Sequence, residues 1–199
     1  MAHEVQVLIL QHPLELDNAK GSARLLHLSL PRSQMVTGEI FDKKALACPA
    51  RQDILLYPGT PLDLAQGHLL SQPTCLNPLA PHMRIADGAL LPDPTRLRLI
   101  VLDGTWRKSR KMLHLNPWLG QLPRLSLQGL PVSNYRIRKA HGPHQLSTLE
   151  ASCAALMRLE ARPEKFWPML AGFDGFVAQQ LGYRERRAET IKLQSLLCL

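Results

Sequence analysis

No apolar run in this chain reaches the about 20 residues that span a bilayer. No basic, apolar and cleavable pattern opens it either. Cysteine is sparse and scattered, at Cys48, Cys75, Cys153 and Cys198, with no C-x-x-C pair and no Cys/His cluster at zinc-finger spacing. The four read as free thiols of a reducing compartment, and a cytoplasmic protein without membrane association is the expectation. There is no internal repeat and no low-complexity tract.

What is present is an ordinary globular balance. The 199 residues are 45% hydrophobic and 20% charged, which argues against wholesale disorder. That length suits one domain with a full core, or a domain with a small appendage. The net charge is +8, from 24 Lys+Arg against 16 Asp+Glu. Such an excess favours polyanionic partners, with RNA or DNA first; a basic protein without nucleic-acid business is the plain alternative.

Short aliphatic runs alternate with helical patterns. Val5 to Leu10 (VQVLIL) reads as a buried strand stopped by Pro13. Gly21 to Leu30 fits a helix followed by extended chain. Asp53 to Tyr57 is a second strand, closed by Pro58-Gly59, and 60–94 is proline-rich and reads as loops with one short helix. Leu97 to Leu102 (LRLIVL) is the clearest strand, apolar enough for burial on both faces as in a parallel sheet. A helix over Arg107 to Leu115, ended by Pro117, and a strand over Arg124 to Leu127 follow. Tyr135 to Pro143 is a basic loop. Ser147 to Ala161 is the best helix, with Glu150 at capping-box spacing from Ser147. The tail, 166–196, reads as one or two helices. This order implies an α/β fold with a mostly parallel sheet and flanking helices, whose ligands bind beyond the carboxyl ends of the strands.

Three segments fall at such ends: His12, Pro58-Gly59, and Asp103-Gly104-Thr105-Trp106. In the last, a carboxylate directly follows a buried strand. Gly104 removes a side chain and permits close approach of a ligand to the backbone. Thr105 is placed to cap the next helix, and Trp106 offers a flat face to a base, an adenine ring or a sulfonium cation. The plain alternative makes Asp103 a turn residue and Trp106 core packing.

The Asp-x-Thr-Trp pattern is accompanied by other blocks in a fixed order. These are Leu10 to Glu15 (LQHPLE), Ser22 to Leu26 (SARLL), Leu56 to Gly59 (LYPG), Leu102 to Trp106 with Lys111 and Met112, Tyr135 to Lys139 (YRIRK), and Leu146 to Ala151 (LSTLEA). Together they resemble the DTW-domain family, the tRNA-uridine aminocarboxypropyltransferases, over about residues 5–160. The resemblance implies a SPOUT-like fold with a knotted cofactor region and S-adenosylmethionine as co-substrate. It implies transfer of a 3-amino-3-carboxypropyl group to N3 of a uridine in tRNA. On this reading 1–199 is a single domain, with a helical C-terminal extension at about 163–196, and a homodimer is open by analogy with SPOUT proteins. Two departures stand out. The N-terminal cysteine cluster of many members is absent, so no metal is expected. Gly21-Ser22 also stands where Asn-Thr is common, although Ser22 keeps a hydroxyl for the cofactor.

The resemblance and the residue chemistry together assign candidate roles. Asp103 is the candidate base for the uridine N3 proton, or else a group that orients the donor or the uracil by hydrogen bonds; Trp106 joins it as a candidate catalytic residue. Ser22, Pro58, Gly59, Leu102, Thr105, Trp106, Thr148 and Glu150 are candidates for binding the cofactor, the last two at a helix start suited to a carboxylate. Pure capping is the plain alternative for Thr148 and Glu150. Arg136, Arg138 and Lys139, with His141 and His144 beyond, form a candidate RNA-binding loop. Arg107 on the helix after the motif joins them, with Lys108, Arg110 and Lys111 adding to the basic surface. His12 reads as structural more readily than as a substrate contact. Two rival readings stay open: an RNA methyltransferase using the same donor, and an RNA-binding module without catalysis.

Overall fold

The structure is a computed structural model that describes residues 2–18, 21–59, 93–127 and 146–197, with the side chains of 184–185 and 188–197 excepted. Five strands form one sheet: β1 (Gln6–Gln11), β2 (Ser33–Thr37), β3 (Gln52–Leu56), β4 (Leu97–Asp103) and β5 (Arg124–Leu125). Their order is β2-β1-β4-β3-β5, and every neighbouring pair is parallel. The helices are α1 (Ser22–Ser29), α2 (Trp106–Leu115), the single turn α3 (Pro117–Gly120), α4 (Thr148–Glu160) and α5 (Trp167–Leu197).

The central strands explain the parallel arrangement. Leu97 to Val101 are buried on both faces, so β4 needs cover above and below, which only helical crossovers supply. Side chains alternate by strand geometry. Val7, Ile9, Ile54, Leu99 and Val101 therefore point to one side, where they meet Ala23 and Leu26 of α1, Leu149, Cys153 and Leu156 of α4, and Phe173 of α5. Leu8, Leu10, Leu55 and Ile100 point to the other, against Phe41, Met112 of α2 and Leu119 of α3. Each fully buried aliphatic side chain contributes about 1.5–3 kcal/mol. Burial pushes the Cys153 thiol up to about 12, so it packs as a small apolar group.

The strands and helices expected within the described residues are present, with instructive differences. The segment Gly21 to Leu30 is helical over Ser22–Ser29, with extended chain only at Leu30, and a strand that was not expected, β2, follows at the sheet edge, only partly buried, which is why its SQMVT sequence carries little apolar signal. The strand expected over 124–127 pairs at Arg124 and Leu125 alone. The tail is one continuous helix rather than two. Segment 60–92, and with it the loops and helix read there, lies outside the described residues, as does 128–145 with the basic loop. No helix among the described residues is long and apolar enough to cross a membrane.

Two polar ties hold the amino end of the sheet. Arg98, buried on β4, grips Asp53 of β3 with Nε and Nη2 at 2.6 and 2.7 Å and donates through Nη1 to Leu46 O at 2.7 Å. His3 Nδ1 donates to Val5 O at 2.7 Å while Nε2 accepts from Arg32 N at 3.0 Å, so the neutral ring fills both positions. Burial holds His3 below the usual imidazole range.

Asp53→Ala is expected to cost about 3 kcal/mol in urea denaturation, because it strands a buried guanidinium; a loss under about 1 kcal/mol would remove this tie from the fold's supports. For His3 the unfolded chain takes the proton first. Its contribution is complete above the unfolded value of about 6.5 and is lost as pH falls below it. Denaturation midpoints of His3→Gln should therefore lack part of the wild-type decline below about pH 6.5; identical declines would refute the assignment.

Candidate active site

The carboxyl ends of β1, β2 and β4 lie level with one another. Gln11 is in register with Thr37 on one side and with Asp103 on the other. All three therefore project to the face that packs α1 and α4, where they replace the apolar row with a polar one. Asp103 is 7% exposed. Its Oδ2 accepts from Gln11 Nε2 at 3.1 Å, and its Oδ1 accepts from the hydroxyl of Thr148, at the start of α4, at 2.7 Å. Thr37 Oγ1 stands 3.5 Å from Gln11 Oε1 and extends the row. The backbone closes the corner: His12 N donates to Asp103 O at 3.0 Å.

Helix α4 reaches this corner because its start is well defined. Ser147 Oγ accepts from Glu150 N, and Glu150 Oε2 accepts from Ser147 N at 2.7 Å, a complete capping box. With those two side chains engaged, Thr148 at the first helical position turns its hydroxyl to Asp103.

On the other side of Asp103 the chain enters α2, capped by Thr105, whose Oγ1 accepts from Lys108 N. Trp106 is 48% exposed at the rim. Its ring stands edge-on to Tyr57, centroids 5.8 Å apart and planes at 72°. The Arg124 guanidinium lies 5.8 Å from the Tyr57 centroid, and its Nη1 donates to Pro58 O at 3.4 Å. An acid joined to a helix start, and an open indole three residues further on, thus lie at the carboxyl edge, where parallel sheets bind ligands.

A second network ties α2 to the loops after β1 and β2. His12, buried, accepts from Leu14 N through Nδ1 at 3.2 Å, which leaves the Nε2 proton to donate to Glu39 Oε1 at 2.7 Å. Glu39 Oε2 meets Lys111 Nζ at 2.6 Å, and Glu15 Oε1 meets Lys108 Nζ at 2.8 Å. The Lys111 ammonium, with His12 beside it, holds the Glu39 carboxyl below its ordinary value.

Residues 1–181 match the DTW domain family. The chain belongs to that family. It is similar to tRNA-uridine aminocarboxypropyltransferase 2 of Drosophila melanogaster, 29% identical over 169 residues, which is 80% of this chain and 58% of that protein. The chain therefore spans little more than half the length of that relative. No solved structure matches.

In this DTW domain the residues expected at the site fall into three groups. Asp103 and Thr148 are joined directly, while Thr105 and Trp106 follow Asp103 at the start of α2, where Trp106 meets Tyr57 beside Pro58 and Gly59 at the end of β3. Ser22 is buried in the first turn of α1, on the α4 face; Leu102 is half-buried and belongs with the α2 face; Glu150 is engaged in capping. Arg136, Arg138, Lys139, His141 and His144 lie outside the described residues. Gly104 has a packing reason: a Cβ there would stand 3.1 Å from Lys108 Cβ and 3.6 Å from His12 Cβ, so the glycine admits α2 against β1. Gln11, Glu15 and Tyr57 fall in blocks that carry the family resemblance but were assigned no role, and Thr37, Arg124 and Glu39 were not singled out by sequence. Strand parity, which puts Gln11 on the side of Val7 and Ile9, was the available signal for the first.

Thr148→Val leaves the buried Asp103 carboxylate short of a donor and is expected to cost about 1–3 kcal/mol, with Thr148→Ser recovering most of it. Equal stability of the Val and Ser variants in urea titration would show that the hydroxyl does not hold Asp103.

Proposed function

We propose that this DTW domain transfers the 3-amino-3-carboxypropyl group of S-adenosylmethionine to N3 of a uridine in tRNA. The observation that carries the reading is the Asp103 carboxylate, fixed between Gln11 and Thr148 and followed at the start of α2 by the half-exposed Trp106, in a family that includes a tRNA-uridine aminocarboxypropyltransferase. The proposal extends to a SPOUT-type fold with a knotted cofactor region, to a single domain across 1–199, and to a cytoplasmic setting.

The residues present suit such a donor. A sulfonium cation is attracted by an aromatic face and by a carboxylate, and Trp106 and Asp103 supply both. The start of α4 points N–H groups toward the corner where the donor's own carboxylate would lie. Pro58-Gly59 would border the adenosine, and Ser22, Leu102 and Thr105 complete the pocket wall. Glu150 contributes by fixing the α4 start.

Uracil N3 attacks the γ-carbon of the methionine arm. The N–C bond forms, the C–S bond breaks with its electron pair going to sulfur, and 5′-methylthioadenosine leaves as a neutral thioether. The N3 proton must depart, and Asp103 takes it. The choice of γ-carbon over methyl is one of alignment, since both are activated by the same sulfonium. Arg107 and the Arg136–Lys139 loop contact the tRNA.

The test is label transfer to bulk tRNA from two preparations of the donor, one labelled in the carboxyl carbon and one in the methyl. Carboxyl label should enter the RNA and methyl label should not, and Asp103→Ala should abolish incorporation with the fold intact by circular dichroism. Methyl label in the RNA would establish the methyltransferase reading instead. Donor left unconsumed, with RNA still bound, would establish the non-catalytic one.

A further inference from the structure

Helix α2 carries four cations within five residues, Arg107, Lys108, Arg110 and Lys111, and the structure sorts them into two kinds. Both lysines are paired with carboxylates of the chain, although Lys111 is itself 55% exposed. Lys108 is 23% exposed and pairs with Glu15, which is 7% exposed and also accepts from Asn18 Nδ2 at 3.2 Å. Lys111 pairs with Glu39, which the buried His12 ring holds from the other side. Both arginines are exposed, and among the described residues neither has a hydrogen-bond or ion-pair partner. Arg107 and Arg110 are three apart, and Trp106 and Arg110 four apart, so all three share the outer face of the helix.

Isolated exposed arginines are ordinary. Here, however, they lie on the helix whose first residue is the open indole of the site, on the side away from the core. A polyanion whose base reached Trp106 would lay its flanking phosphates along this face. Arginine suits phosphate through its planar fork of donors, and lysines already neutralised by carboxylates add little field of their own.

We propose that α2 is a braced RNA-docking helix: Arg107 and Arg110 contact the phosphates flanking the target nucleotide, while Lys108 and Lys111 are positioning residues that pin the helix, through Glu15 and the Glu39–His12 pair. This rests on the reading of tRNA as substrate and divides the labour within its binding surface. It gives Lys108 and Lys111 a bracing role in place of the share in one basic surface expected of all four cations.

The experiment measures binding of unfractionated tRNA, without donor, across a salt series. Each phosphate contact removed lowers the slope of log K against log salt by about one. Arg107→Gln and Arg110→Gln should each lower the slope by about that amount, and the double variant should weaken binding roughly tenfold at low salt. Lys108→Met and Glu15→Gln should leave the slope unchanged and share one phenotype, with the double variant no worse than either single, as expected of one broken pair. Because Glu15→Gln keeps Lys108 in place, it reports on the brace even if Lys108→Met folds poorly. Lys108→Met flattening the slope as strongly as Arg107→Gln, with Glu15→Gln silent, would overturn the proposal. So would arginine variants with the wild-type slope. Wild-type protein that bound no tRNA would overturn the substrate reading itself, whereas binding without group transfer would leave the docking face standing.

Discussion

A carboxylate placed at the end of a strand of buried hydrocarbon has to be met by donors, because an ionised group shielded from water without them costs more than a domain of this size can spare. Asp103 is that carboxylate. Its donors come from Gln11, 92 residues away in sequence, and from Thr148, 45 residues away. The requirement draws together the end of β1, the end of β4 and the start of α4. Parallel pairing delivers Gln11 by register, and the capping box delivers Thr148 by ending the loop before α4 at a defined residue. The corner is polar because three elements each bring one polar group to the same level.

Legibility of these parts in the sequence followed how local their causes are. The α4 capping box depends on residues three apart and was readable directly, as was β4, whose burial on both faces shows as an unbroken apolar run. Strand β2 was not, since an edge strand with partial burial has no strict alternation to display. At the site, Asp103, Thr105 and Trp106 announce themselves as a contiguous motif. Gln11 and Thr37 acquire their significance only through cross-strand register, a non-local fact that five or six letters of sequence do not carry. Glu15 and Glu39 are similar. Nothing in their neighbourhoods shows that each will meet a lysine 93 or 72 residues downstream.

Charge counting shows the same limit from the other direction. A net charge of +8 directs attention to every Lys and Arg, yet it is silent on which are already matched. On α2 the lysines sit where carboxylates from the β1 and β2 loops can reach, and the arginines do not. Paired charges largely cancel at a distance, so on α2 the outward field comes mainly from Arg107 and Arg110.

The two networks at the carboxyl edge are separated by a single step along each strand. Gln11 and Asp103 turn to the α4 face, while His12, the next residue after Gln11, meets Glu39 on the α2 side. Gly104, the next after Asp103, has no side chain and so lets Lys108 and His12 close together. Strand periodicity of two makes this arrangement all-or-none. A one-residue slip of β1 against β4 would send Gln11 toward α2 and His12 toward α4, leaving Asp103 without a strand-borne donor and Glu39 without its imidazole partner. The apolar positions of β1 resist that slip, because Val7 and Ile9 would exchange faces with Leu8 and Leu10 at the same time. The polar chemistry at the rim is therefore held in alignment by the hydrocarbon beneath it, and the aliphatic interior of β1 and β4 is as much a determinant of the site as the residues that line it.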